Sequence, residues 1–238
     1  MDWAELRPLA EARQVGLLLS SLNTVADAEE RIAVSQRLIR HMAFDEWENK
    51  DLDVMTAVAD FAIEEGERVG GDLLEAVNVT SYNTSANLCD CWGDGFQRKP
   101  KHFKKGIDYA RKALWLRSCL GKGPGPEAMA TWALGKHQHS LGRIRDATRS
   151  FRKCLLLETL AAKGAGKPAE VCVGTTDGYL IAASYLALME RNRVLLASVK
   201  EVLHQMVAQS EDAKVNADII SSQLLETAKM IDATLWLA

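Results

Sequence analysis

The stretch Thr131 to Leu157, TWALGKHQHSLGRIRDATRSFRKCLLL, restricts the fold more than any other part of the chain. Trp132, Leu134, Gly135 and Gln138 follow helical spacing, Gly142 ends that helix, and Ala147, Phe151, Cys154 and Leu155 carry the apolar stripe onward. The spacing predicts two antiparallel helices joined by one tight turn. Gly135 and Ala147 are expected where the two helices cross, because a larger side chain at either place would hold the axes apart.

The pattern returns upstream. With Ala86 set against Gly135, Gly93 matches the turn glycine Gly142. After an insertion from Asp94 to Lys101, Gly106 matches Ala147, Ala110 matches Phe151 and Ala113 matches Cys154. From Ala110 to Gly125, seven of sixteen residues recur 41 positions later, where composition alone gives about one. The centre of the chain therefore reads as an internal duplication. The Gly-rich links Gly121 to Pro126 and Lys163 to Lys167 follow the second helix of each copy and lengthen it. The order aromatic, Leu-Gly, turn Gly, Ala, Phe, small residue, Leu resembles a tetratricopeptide repeat, a unit of about 34 residues.

Elsewhere the helical period is nearly continuous and strand alternation never persists; only Val171-Cys172-Val173 looks extended. Helices are predicted from Trp3 to Leu19, with Pro8 as a kink or early boundary, and after Thr24, whose hydroxyl and Asp27 suggest a cap. Others run through Met55 to Ile63, ending at Gly70-Gly71, and from Leu73 to Trp92. A degenerate third pair spans Asp177–Glu190 and Val194–Val207, and Asp212 to Trp236 reads as a capping helix. The expected fold is all-α: an antiparallel helix-hairpin solenoid, or tetratricopeptide-like superhelix, of about ten helices. Residues 1–238 read as one helical-repeat domain, with acidic helices in 1–70, the two clearest units in 71–167, and the degenerate unit plus cap in 168–238.

The net charge of −3 conceals a strong asymmetry. Residues 1–97 hold 7 Lys and Arg against 19 Asp and Glu, whereas residues 98–167 hold 17 against 4. Arg98, Lys101, Lys104, Lys105, Arg111, Lys112, Arg145 and Arg149 are the basic-surface candidates, suited to an acidic partner, to nucleic acid, or to the acidic helices of a second copy. A pI near 6.0 and sparse interleaved aromatics argue against nucleic acid.

Nothing in the sequence spells a catalytic or metal motif. The five histidines stand in no nucleophile–base pattern, and Cys89-x-Cys91 has no second ligand pair at zinc spacing. Gly164-Ala-Gly-Lys167 is followed by Pro168 where a phosphate loop needs Ser or Thr. No enzyme activity, cofactor or metal is expected. Asp2 and Glu5 stand where a signal peptide carries positive charge, and no apolar run approaches the ~20 residues that span a bilayer. The expectation is a soluble cytoplasmic protein with no membrane partner.

The resemblance implies a scaffold whose first helices line a concave groove for a peptide or helix of another protein. Carried over by the alignment, the groove positions are Asn83, Asn87 and Asp90 in one unit and Trp132, Lys136 and His139 in the next. Asn87 would hold a peptide backbone through its amide, and Lys136 would meet a carboxylate or phosphate.

Overall fold

The computed structural model describes residues 1–45, 47 and 49–232. Among them are eleven helices and no strand: α1 (Trp3–Glu11), α2 (Val15–Asn23), α3 (Ala28–Phe44), α4 (Leu52–Val69), α5 (Leu73–Asn87), α6 (Pro100–Cys119), α7 (Pro124–Ser140), α8 (Ile144–Gly164), α9 (Asp177–Glu190), α10 (Arg193–Val207) and α11 (Glu211–Ile231). The all-α expectation holds, with one helix more than expected. Val171–Val173 lies in an irregular link. No helix among the described residues is long and apolar enough to cross a membrane.

The extra helix comes from the N-terminus. Pro8 is accommodated inside α1, and the break falls later, where Gln14 N–H donates to Leu9 O and Arg13 adopts φ 56°. That is a left-handed helix end, which a search for proline and glycine alone passes over. Asp27, not Thr24, caps α3: its carboxylate accepts from Glu30 N–H at 2.9 Å, while the Thr24 hydroxyl donates back to Ser21 O and closes α2. The helix expected to reach Trp92 stops at Asn87, α7 begins at Pro124, and α11 ends at Ile231; Trp236 lies outside the described residues.

The chain divides into two compact units, one made of Met1–Leu88 with Phe96–Leu120, the other of Cys89–Gly95 with residues 121 onward. In the first, Leu18, Leu22, Leu38, Met42, Met55, Val58 and Leu88 belong to one buried core. Gly66 lets α4 close on its neighbours: a Cβ there would collide with Val77 Cγ2 of α5 and stand 3.4 Å from Ile32 of α3. Gln36 of α3 donates to Ala76 O at 3.1 Å and to Thr80 Oγ1 at 2.9 Å, which sets α3 beside α5. Ser85 Oγ donates to Gly106 O at 2.9 Å where α5 crosses α6.

In the second unit α7 pairs with α8, and α9 packs on α8, α10 and α11. Gly135 does mark a close crossing, but its neighbour is Phe151. A Cβ at Gly135 would lie 2.9–3.1 Å from three ring atoms. Phe151 in turn stacks on Tyr185 of α9 with centroids 5.2 Å apart.

Candidate functional site

Trp132, Lys136 and His139 recur at i, i+4 and i+7, so α7 presents them on one stripe as the sequence predicts. They are not open to solvent. Trp132 is 6%, Lys136 0% and His139 9% exposed. The covering comes from the chain itself: the non-helical segment Cys89–Gly95 together with α9 and α11.

A buried ammonium needs all of its donors used. Lys136 Nζ stands 3.0 Å from Asp90 Oδ1, donates to Thr227 Oγ1 at 3.1 Å, and lies 5.5 Å from the centroid of the Tyr185 ring. Burial pushes the Asp90 carboxyl up, but the Lys136 charge and the Ser140 hydroxyl outweigh it and hold the group below the usual carboxylate range. His139 is driven the other way: burial, then the nearby ammonium, lowers it to about 4, so it is neutral near pH 7. Trp92 meets Trp132 edge-to-face at 6.2 Å, and Cys89 Sγ lies 3.7 Å from His137 Nε2.

Lys136 therefore does meet a carboxylate, but the one it meets was expected beside it on a groove wall. Asp90 lies beyond the end of α5 and serves as the partner of Lys136. Trp92, Tyr185 and Thr227, which complete the cluster, carried no signal in the sequence beyond the turn Gly93 next to Trp92.

The matching face of α5 is different. Asn83 is exposed and Asn87 half-buried, and neither side chain has a hydrogen-bond partner among the described residues. Next to it, through the Gln36 contacts, α3 presents Arg37 and Arg40, both exposed and outside every ion pair among the described residues. The sequence reading missed these two arginines because it looked for the groove only within the duplicated units.

The basic candidates are largely engaged. Lys101 pairs with Asp53 at 2.5 Å, Lys105 with Asp60 at 2.7 Å, and Lys112 with Glu67, all from α6 to α4. Arg149 pairs with Asp146 of its own helix, and Arg98 donates to the carbonyls of Asn87 and Leu88. Lys104, Arg111 and Arg145 are exposed without an ion pair among the described residues. The lopsided charge largely cancels by folding: the first unit's sequence holds 15 Lys and Arg against 18 Asp and Glu, and the second's 14 against 14.

Among the described residues, the fold and these faces define an all-α protein of packed helix hairpins with a largely buried polar cluster on α7 and an open polar face on α3 and α5. No family model matches the chain, and no curated protein is significantly similar to it.

Proposed function

We propose that the protein is a non-catalytic, tetratricopeptide-like interaction scaffold that holds a peptide or helical segment of a partner protein on the concave side of its helix hairpins. The observation that carries this reading is the α7 stripe, which holds a non-helical segment through one ion pair and one aromatic contact. That is the chemistry of peptide recognition. The face available to a partner is the α3–α5 one, where Arg37, Arg40, Asn83 and Asn87 offer unpaired donors and acceptors. A second reading, an electrostatic adaptor or a self-assembling chain, keeps Lys104, Arg111 and Arg145 of the eight candidates free of ion pairs among the described residues, whereas α4 already neutralises Lys101, Lys105 and Lys112.

Selection of peptides from a displayed random library on the immobilised protein separates these readings. Scaffold binding predicts enriched peptides whose affinity falls at least tenfold both in Arg37→Ala/Arg40→Ala and in Asn83→Ala/Asn87→Ala. Peptides that bind both variants like wild type, yet are lost on Lys104→Glu/Arg111→Glu and with added salt, would replace the scaffold by the adaptor.

A further inference from the structure

Segment Cys89–Gly95 sits on α7 as a ligand sits on a receptor. Asp90 and Trp92 are two residues apart in a segment of turns and bends that is neither helix nor strand. Their partners, Lys136 and Trp132, are one helical turn apart on α7, about 5–6 Å along the axis. Two side chains of one turn therefore fall on successive turns of the helix. Beyond Trp92 the backbone turns twice through left-handed glycines, Gly93 at φ 63° and Gly95 at φ 75°, which leaves the contact confined to a few residues.

The fit is incomplete. Trp132 Nε1 and His139 Nδ1 are buried in the stripe with no hydrogen-bond partner among the described residues. A buried polar atom without a partner costs free energy that a fuller occupant recovers. Both atoms belong to the residues that the segment covers, and both are of a kind that peptide backbone or side-chain groups satisfy.

We infer that the α7 stripe is a second peptide-binding site, held closed by the chain's own Cys89–Gly95 segment, and that it accepts a partner segment carrying an acidic residue followed two positions later by an aromatic one. This rests on the scaffold reading above but concerns other residues, so the α3–α5 variants and the α7 variants fail separately. The acidic side chain replaces Asp90 on Lys136, the aromatic replaces Trp92 on Trp132, and the incoming backbone engages Trp132 Nε1 and His139 Nδ1.

The test uses the full chain and a fluorescein-labelled peptide with the sequence of residues 88–96, serine replacing both cysteines, followed by fluorescence anisotropy. Wild type, its site occupied, is expected to bind weakly. Trp92→Ala, and more so Asp90→Ala/Trp92→Ala, is expected to bind at least tenfold more tightly, and adding Lys136→Met abolishes the gain. A peptide with Asn for its first Asp loses at least tenfold. Variants that keep the wild-type circular dichroism but gain no affinity for the peptide would overturn the inference, as would a gain that survives Lys136→Met. Hydrogen exchange on wild type guards against a variant that fails to fold: amides of residues 89–95 are expected to exchange at least a hundredfold faster than those of α7 and α8. Equal protection of the segment and of α7 would mean that the segment does not leave, and would equally overturn the inference.

Discussion

The hairpins α5/α6 and α7/α8 match in sequence, yet they solve the same packing problem in opposite ways. Where α7 has Gly135 facing Phe151, α5 and α6 have Ala86 and Ala110: volume removed from one helix is given to the other. Where α6 buries Arg117, α8 buries Glu158 at the matching place. Arg117 Nε donates to Asn78 Oδ1 at 3.0 Å, and its guanidinium lies 4.3 Å from the Tyr82 ring centroid. Glu158 has no hydrogen bond or ion pair among the described residues and lies against Gly178 of α9. Where α5 has half-buried Asn87, α7 has sealed Lys136. The two matching stretches both form helix hairpins, but the chemistry of their faces differs.

The largest test of that divergence is at the Asn87 and Lys136 positions. Lys136→Met strands the Asp90 carboxylate inside the second unit and is expected to cost about 3–5 kcal/mol in urea unfolding followed by circular dichroism. Asn87→Ala, at a half-solvated amide, is expected to stay within about 0.5 kcal/mol of wild type. Equal losses in the two variants would erase the contrast between a sealed face and an open one.

The crossing residues come next. Gly135→Ala gains helix propensity but forces a Cβ against the Phe151 ring, and the net loss is expected to be about 1–3 kcal/mol. Trimming the ring in Gly135→Ala/Phe151→Leu is expected to restore more than half of it. In α5 the order reverses, since Ala86→Gly only removes a methyl and a helix former, at about 1 kcal/mol. A double variant no more stable than Gly135→Ala would refute the exchange of volume between facing helices.

Hairpin pairing, the tight crossing at Gly135 and the helix number to within one were legible because they depend on local period and on small residues that leave a trace in one stretch of sequence. The state of the α7 stripe was not. Its seal depends on Asp90, Tyr185 and Thr227, which lie 46, 49 and 91 positions from Lys136, and no spacing rule links positions so far apart. The same limit hid the partners of Lys101, Lys105 and Lys112. The charge blocks showed that basic and acidic segments exist, not that α6 and α4 would lie side by side and pair them.

The Arg117 and Glu158 positions yield a pH prediction. Burial lifts the Glu158 carboxyl from its ordinary 4.5 to about 7, so the folded chain holds that proton more tightly than the unfolded chain does. The contribution to stability is therefore greatest below about pH 4.5 and falls as pH rises to about 7. The loss over that range is expected to be on the order of 1–3 kcal/mol. Glu158→Gln, neutral at every pH, should show no such decline from this site. A pH–stability profile parallel to wild type between pH 4.5 and 7.5 would refute a protonated Glu158 in the fold.

The smallest effects are expected where the two charge blocks meet. Lys105 and Asp60 are both about half in water, with side chains 47% and 36% exposed. Lys105→Gln is therefore expected to cost only about 0.2–1 kcal/mol. Its sign of origin is salt: at 1 M, where the Debye length falls to about 3 Å, the variant and wild type should converge in stability. Lys136→Met should keep most of its loss there, because the ammonium it removes is fully buried and Asp90 is only 17% exposed. If instead Lys105→Gln were as costly as Lys136→Met and insensitive to salt, the α4–α6 pairs would be structural in the same sense as the sealed one. The charge asymmetry of the sequence would then serve to hold the first unit together, where the geometry gives that role to its apolar core and leaves the ion pairs to set the register between α4 and α6.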